Sequence, residues 1–325
     1  MSRKGTRRLV SVPVVALMAV LIAVTLPVWL PLVALSDALR RNWRFPTVRL
    51  LWFGCFWAWV ELVGVVGLVV IWATGRAHDV RPHYDLQRRW CAGIINSLRV
   101  TMGMQLHMDL PEVPTDRPYV VLCRHVSLAD SIISCYVVNN TLGLDPRYVL
   151  KSDLMAVPCL DILGHRTPNC FVRRGTDRPE DEVAAVAAMV RDMPAGDAAV
   201  IFPEGSRAND PKRARELARL EEKHPYRYSA LRDLLHLIPP KPAGAAAILD
   251  AAPGADVITV WHHGLDGMDS FGGILRTVAR RRPSVHVVAD VHRRVDVPSG
   301  EQFVQWLDAQ WVRMDAEVAA FVRDN

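Results

Sequence analysis

The stretch Tyr119-Val-Val-Leu-Cys-Arg-His-Val-Ser-Leu-Ala-Asp130 leads from a short apolar run into a polar turn. An apolar run of five residues bounded by polar residues predicts a buried strand. On either side of it, from about Val80 onward, similar apolar runs alternate with amphipathic patterns of helical spacing. This alternation predicts a globular α/β body.

The other predicted elements share these two kinds of pattern. Further strands are predicted at 147–150, 198–202, 257–260 and 285–288. Helices are predicted at 181–192 and 212–222. Near the end of the chain, apolar residues from Phe303 to Phe321 recur at helical spacing, with Trp306 and Trp311 at the edges of the stripe. We expect this amphipathic helix to cap the core rather than to contact a membrane.

His125 and Asp130 follow the first strand and lie five residues apart. Five residues of continuous helix would place the two side chains about 140° apart, so they can meet only across a turn that leads into a helix. In that geometry His125 would act as a general base and Asp130 would orient it. Ser127 is a candidate N-cap for this helix, and Ser127-x-x-Asp130 is also a capping box, which needs no chemistry. The spacing leaves both interpretations open.

Two other segments carry arginines at the ends of predicted strands. They are Phe171-Val-Arg-Arg-Gly175 and Phe202-Pro-Glu-Gly-Ser-Arg207. The arginine fork matches phosphate geometry, and Gly205 would let backbone N–H groups approach an anion. The chain has 34 Arg and 5 Lys, so composition alone also predicts isolated surface arginines.

Several motifs are absent, and their absence argues against α/β serine hydrolases, P-loop enzymes and dinucleotide oxidoreductases. The chain has no G-x-S-x-G elbow, no G-x-x-x-x-G-K-[ST] loop and no G-x-G-x-x-G after a strand. The pair His262-His263 lacks an H-E-x-x-H context, and no metal site is predicted. The six cysteines form no C-x-x-C pair, which predicts free, mostly buried thiols in a reducing compartment.

The net charge of +5 is concentrated at the N-terminus, because residues 1–49 carry eight Lys/Arg against one acid. Residues 76–325 are nearly neutral, which excludes the uniformly basic body of a nucleic-acid binder. The run 9–35 has no charge and the run 50–74 is interrupted only by Glu61, so both predict membrane helices. The basic residues around them favour a cytoplasmic body. A hairpin that dips into one leaflet is the alternative.

Together and in this order, the motifs resemble the 1-acylglycerol-3-phosphate acyltransferase (lysophospholipid acyltransferase) family, in its branch with an N-terminal hydrophobic hairpin. The resemblance covers about residues 95–265. The matching residues are His125 and Asp130 for H-x-x-x-x-D, Phe171, Val172 and Arg174 for G-x-x-F-I-x-R, Phe202 to Arg207 for F-P-E-G-[ST]-R, and Leu237 to Gly244 for the proline-containing fourth block. Arg124 stands where many members have Asn, Pro168 replaces a glycine of the second block, and Pro240-Lys241 replaces the commoner V-P-V.

The resemblance implies a mixed sheet flanked by helices, in three parts: a membrane anchor at 1–78, a catalytic domain at 79–266, and a C-terminal strand and helix at 267–325 that pack on it. It implies that His125 and Asp130 are catalytic. The residues that it assigns to the acceptor phosphate are Arg174, Glu204, Gly205, Ser206 and Arg207, with Glu204 alternatively organising arginines. The residues that it assigns to substrate positioning are Arg173, Pro240 and Lys241.

The implied reaction moves a fatty acyl group from acyl-CoA or acyl-carrier protein to the sn-2 hydroxyl of 1-acylglycerol-3-phosphate, giving phosphatidic acid. The acyl thioester is a co-substrate and no cofactor is expected. The expected partners are the lipid bilayer and, as a candidate, acyl-carrier protein, but not nucleic acid. The expected location is a membrane, the cytoplasmic membrane if the source is bacterial, with the catalytic domain facing the cytoplasm.

Other functions also fit the motifs. A remodelling acyltransferase for lysophosphatidylglycerol or lysocardiolipin would share every catalytic residue. A non-catalytic protein that binds anionic lipid, or transfer to a sugar or polyketide acceptor, also fits parts of the pattern. The sequence leaves undetermined the acceptor headgroup, the acyl-chain length, the donor, the depth of the hairpin and the oligomeric state.

Overall fold

The computed structural model describes residues 3–172 and 179–324. The chain divides into two compact units. The first comprises 1–105, 150–174 and 275–283, and the second comprises 106–149, 175–274 and 284–325. The domain boundaries expected from the resemblance, after residues 78 and 266, stay predictions.

The helices and strands are numbered in chain order. The α-helices of the described residues are α1 (Arg3–Leu39), α2 (Pro46–Ala73), α3 (Val80–Met102), α4 (Asp130–Cys135), α5 (Pro158–Arg166), α6 (Pro179–Val190), α7 (Asp210–Lys223), α8 (Pro225–Leu231), α9 (Pro242–Ala251), α10 (Phe271–Arg280) and α11 (Gly300–Asp324). The strands are β1 (Gln105–Asp109), β2 (Tyr119–Cys123), β3 (Asp145–Lys151), β4 (Cys170–Val172), β5 (Asp197–Ile201), β6 (Asp256–His263) and β7 (Ser284–His292).

The first unit begins with two long apolar helices, as predicted. Residues 7–39 and 46–73 are long and apolar enough to cross a membrane. Many of their large side chains are exposed, for example Val24 at 70% and Val63 at 66%. Exposed apolar surface of this extent suggests membrane association. The connection between the helices is fixed by Asp37, which accepts the backbone N–H of Thr47 at the start of α2.

The N-terminal end of α1 is tied to α5 by an ion-pair cluster. Arg7 and Arg8 contact the carboxylate of Asp161 at 2.5 Å and 2.9 Å. Asp161 is fully buried. A buried carboxylate is tolerated when cations and hydrogen bonds compensate its lost hydration, and here two guanidinium groups do so.

α3 runs antiparallel along α2, and small residues let the two helices approach closely. A Cβ at Gly93 would lie 3.2 Å from Val60, and one at Gly64 would lie 3.1 Å from the Trp90 ring. The Trp90 indole donates to the buried carboxylate of Glu61 at 2.9 Å. Glu61 thus faces a partner helix, one of the arrangements expected for an acid in an apolar run.

The strands of the second unit form a mixed sheet with the order β1-β7-β6-β2-β5-β3. β2 lies parallel to β5 and β6, β3 lies parallel to β5, and β7 is antiparallel to β6. Every residue of β2 and β6 is buried, as expected for strands in the middle of a covered sheet. The prediction of a mixed α/β sheet flanked by helices is confirmed.

α11 packs on the second unit through a buried apolar stripe. Phe303, Leu307, Met314 and Val318 are at most 1% exposed. The prediction of an amphipathic C-terminal helix that caps the core is thus confirmed, except that Trp311 is fully buried instead of lying at an edge. The six cysteines are free and five of them are buried, as predicted.

Candidate active site

The carboxyl ends of β2, β5 and β6 lie at one edge of the sheet, and the candidate site is built there. His125 follows β2 and its side chain is 18% exposed. Its Nδ1 lies 2.9 Å from Oδ2 of Asp130, the first residue of α4. The turn at 126–129 therefore brings together the two side chains that the sequence places five residues apart. With Nδ1 engaged, Nε2 is the ring nitrogen available to exchange a proton with a substrate.

The Asp130 carboxylate is held by the turn itself. Its Oδ2 accepts the backbone N–H groups of Val126 at 2.5 Å and Ser127 at 2.7 Å, and its Oδ1 accepts the Ser127 hydroxyl. Burial by itself would raise the pKa of Asp130, but His262, followed by the hydrogen bond from His125, holds that pKa well below its usual value. Asp130 is therefore an ionised, immobile acceptor for the imidazole.

The predicted N-cap needs a correction. Ala129, not Ser127, is the N-cap of α4, and it makes no side-chain capping bond. The Ser127 hydroxyl accepts the N–H of Ala129 and donates to Asp130. The Asp130 carboxylate thus accepts both the Ser127 N–H and hydroxyl and the contact with the His125 ring, so the turn and the predicted catalytic pair share one side chain.

The turn after β5 lies against the backbone of His125. Glu204 is fully buried, and its Oε1 accepts the His125 N–H at 3.2 Å. The Ala208 N–H donates to the His125 carbonyl at 2.7 Å, and the Phe202 ring centroid is 4.8 Å from that of His125. Burial raises the pKa of Glu204 to about 8, so this carboxyl is mostly protonated at neutral pH. Glu204 therefore holds the backbone of His125, and its predicted roles toward the acceptor phosphate or the arginines stay predictions.

Gly205, Ser206 and Arg207 are partly exposed beside this turn. Gly205 has φ +66°, the left-handed conformation that favours glycine. A Cβ there would lie 3.6 Å from the Lys241 side chain. Within residues 3–172 and 179–324, the Arg207 guanidinium makes no hydrogen bond or ion pair. Arg207 and Lys241 are therefore cations near one turn.

The backbone groups of Pro240 and Lys241 are held by hydrogen bonds to other segments. The Lys241 N–H donates to the Pro203 carbonyl at 2.9 Å, which ties the fourth block to the turn after β5. The Pro240 carbonyl accepts Arg227, which also pairs with Asp308 of α11. Arg173 and Arg174 lie outside the described residues, so their predicted roles stay predictions.

Sequence reasoning missed a buried cluster beside Asp130. The Arg124 side chain is fully buried, donates to the His262 carbonyl and pairs with Asp266 at 2.6 Å. His262 Nε2 lies 3.2 Å from Asp130 Oδ1. The signal in the sequence was Arg124 itself, a departure from the family's usual Asn. No group of three or more metal-binding side chains occurs within the part of the chain that the structure describes.

One protein family matches the middle of the chain. The family model described as "Acyltransferase" matches residues 107–263, which span β2, the turn after β5, and β6. The match covers slightly less than half of the 325-residue chain. His125, Asp130 and Glu204 all lie within the matched residues.

Two further comparisons concern individual proteins. No curated protein sequence matches this chain. Among solved structures, it is similar to the 1-acyl-sn-glycerophosphate (LPA) acyltransferase PlsC from Thermotoga maritima. The two are 13% identical, with a TM-score of 0.46, over 80% of this chain and 96% of that chain.

Proposed function

We propose that this protein is an acyltransferase that moves a fatty acyl group from an acyl thioester, acyl-CoA or acyl-carrier protein, to the sn-2 hydroxyl of 1-acylglycerol-3-phosphate, giving phosphatidic acid. The observation that carries the proposal is the contact between His125 and Asp130, which lies within the residues that the acyltransferase family model matches. A non-catalytic lipid binder has no need of an imidazole held against a buried, ionised carboxylate.

In the proposed reaction His125 Nε2 takes the proton of the acceptor hydroxyl as its oxygen attacks the thioester carbonyl. Asp130 stabilises the imidazolium that forms and keeps the proton on Nδ1. The tetrahedral intermediate collapses, the C–S bond breaks, and the thiolate receives the proton from His125. A thiolate is a good leaving group, so a single base serves both steps and no acyl-enzyme is needed.

The acceptor phosphate is proposed to bind near the turn after β5. Arg207 makes no ion pair among the described residues, and Lys241 lies beside Gly205. Lys241 Nζ is 3.9 Å from Glu216 and its side chain is 54% exposed, so this weak pair can open to receive an anion. The proposed roles of Arg173 and Arg174 rest on the family resemblance alone.

The N-terminal helices are proposed to hold the protein in one leaflet, with the catalytic domain on the cytoplasmic side. α3 follows α2 along its length, since Arg49 near the start of α2 bonds to Met102 at the end of α3. If α2 crossed the bilayer, α3 would enter it with Arg88 and Arg99. Each arginine at mid-depth costs about 2.5–3.5 kcal/mol, which favours a hairpin lying in the interface.

The test uses the full chain purified in detergent. Acyl-CoA and acyl-carrier-protein donors are each mixed with lysophosphatidic acid, lysophosphatidylglycerol and lysocardiolipin, and products are identified by mass spectrometry. We expect phosphatidic acid as the main product and its loss in His125→Ala. His224→Ala is the matched control, because His224 is exposed and its side chain makes no capping bond.

Three outcomes would contradict the proposal in different ways. Near-normal turnover by His125→Ala would remove the proposed base. Preferred acylation of another lysolipid would keep the chemistry and change the acceptor. Lipid binding without thiol release by the wild-type protein would favour the non-catalytic alternative.

A further inference from the structure

The Asp130 carboxylate has an imidazole on each side. His125 Nδ1 lies 2.9 Å from Oδ2, and His262 Nε2 lies 3.2 Å from Oδ1. His262 closes a separation of 132 residues because β6 lies parallel to β2, with Val260 paired to Cys123. The His262 side chain is 5% exposed, so its position is set by the protein interior rather than by solvent.

Arg124 fixes where this second imidazole lies. The backbone N–H of Arg124 donates to the Val260 carbonyl, and its guanidinium donates to the His262 carbonyl. The same guanidinium pairs with Asp266 beyond the end of β6. An arginine fork bound at several points restrains the backbone that carries His262. Arg124 therefore restrains the backbone from which the His262 ring extends toward Asp130.

We propose that His262 is a positioning residue: its Nε2, 3.2 Å from Asp130 Oδ1, adds a polar contact at the oxygen that already accepts the Ser127 hydroxyl, and so keeps Oδ2 facing His125. Two partners at Oδ1 restrain the carboxylate more than the Ser127 hydroxyl alone when His125 changes its protonation state. The second partner also disperses the negative charge of Asp130, which weakens its attraction for a proton on His125. His262 thus sets how readily the base gives its proton to the leaving thiolate. This inference rests on the proposed function.

Other charged groups around His262 could affect the same behaviour. They are Arg124 directly after β2, Asp130 on α4, His263 on β6, Asp266 beyond β6 and Glu204 beside Arg124. The Arg124–Asp266 pair balances its own charge, and the protonated Glu204 contributes none at neutral pH. Asp130 is therefore the group that His262 can influence most.

The experiment compares three variants with the wild-type protein. His262→Leu removes the polar contact, and His262→Gln places an amide N–H close to the position of Nε2. His263→Gln is the matched control, because successive strand side chains point to opposite faces and the His263 ring stacks on Phe321 at 4.4 Å. Circular dichroism and thermal unfolding check that each variant folds. If His262→Leu does not fold, His262→Asn replaces it, since its amide is too short to reach Asp130.

The first readout needs no substrate. Diethyl pyrocarbonate modifies only the unprotonated imidazole, so the pH dependence of His125 modification, followed by peptide mass spectrometry, reports its protonation. We expect His262→Leu to move the midpoint upward by about one pH unit. We expect His262→Gln and His263→Gln to keep the wild-type midpoint.

The second readout is acyl transfer. His262→Leu should lower kcat/KM about tenfold at neutral pH, with KM for the thioester unchanged. In the pH profile of kcat/KM, the limb on the acidic side should move by the same amount as the modification midpoint. An unmoved midpoint in His262→Leu, or an equal shift in His263→Gln, would overturn the inference. If the wild-type protein transfers no acyl group but the midpoint still moves, the proposed function fails and the role of His262 stands.

Discussion

Asp315 of α11 accepts the backbone N–H of Leu237 at 2.7 Å, although the two residues lie 78 positions apart. The same carboxylate accepts the N–H groups of Leu235 and His236 at 2.8 Å and 2.7 Å. This buried side chain caps the loop that leads into Pro240. A helix outside the matched family domain thus supports a block inside it.

The capping contact predicts a loss of stability in Asp315→Ala. Three backbone N–H groups would lose their acceptor, and an unsatisfied buried donor such as that of Leu237 costs about 1–3 kcal/mol. We expect the free energy of unfolding to fall by about 3 kcal/mol, measured by chemical denaturation in detergent. Glu301→Ala, an exposed carboxylate on the same helix, should change it by less than about 0.5 kcal/mol. Equal effects of the two variants would mean that the loop does not depend on Asp315.

Asp130→Asn should leave the fold intact and lower turnover. The amide keeps the size of the side chain but loses the charge that stabilises the imidazolium, and it can place an N–H toward His125 instead of an acceptor. We expect kcat to fall about 10²–10⁴-fold, measured with saturating acyl-CoA and lysolipid. Asp116→Asn, on an exposed loop, is the control and should keep wild-type turnover. Retention of more than a tenth of kcat by Asp130→Asn would argue against an orienting carboxylate.

Glu204 should make stability depend on pH. Its folded pKa is raised to about 8 by burial, whereas the unfolded value is near 4.5. The folded state therefore keeps a proton that the unfolded state has lost, and the stabilisation present below pH 4.5 is lost as the pH rises to about 8. The slope from this group is at most about 1.4 kcal/mol per pH unit.

Glu204→Gln tests that slope, because the amide cannot ionise. We expect the unfolding free energy of the variant to increase relative to that of the wild-type protein as the pH rises from 5 to 8. Chemical denaturation at four pH values measures it, with Glu216→Gln as a partly exposed control. Parallel curves for Glu204→Gln and the wild type would show that the buried carboxyl does not titrate in this range.

The exposed face of α1 should carry the attachment to lipid. Val24→Arg puts a charge on a side chain that is 70% exposed, and Val295→Arg makes the same change on one that is 77% exposed in the second unit. A buried arginine in hydrocarbon costs about 2.5 kcal/mol or more, so Val24→Arg should weaken partition into liposomes at least about tenfold. Val295→Arg should leave partition unchanged in the same flotation assay. Equal partition of the two variants would place the lipid contact elsewhere.

Local patterns predicted the elements that lie within one stretch of chain. The apolar run at 119–123 became β2, and the helix predicted at 212–222 is α7 with one or two residues added at each end. The His125–Asp130 contact was also accessible, because five residues and a turn suffice for it. Periodicity reports these features since it depends only on neighbouring residues.

Contacts between distant segments gave no such signal. His262 contacts Asp130 only because β2 and β6 are neighbours in the sheet. The order of strands in a sheet cannot be predicted from the sequence of either strand alone. Asp315 was one acid among many on an amphipathic helix, although it caps a loop on another element. β1 was missed because Gln105–Asp109 is mostly exposed and lacks an apolar run.

The cluster of Arg7, Arg8 and Asp161 also bears on how the protein is made. Asp161 leaves the ribosome more than 150 residues after the two arginines. At about 5–20 residues per second, this delay lasts roughly 8–30 s. Throughout that time the two arginines lack this carboxylate as a partner. The ion pairs that tie α1 to α5 can therefore form only after α5 has been translated.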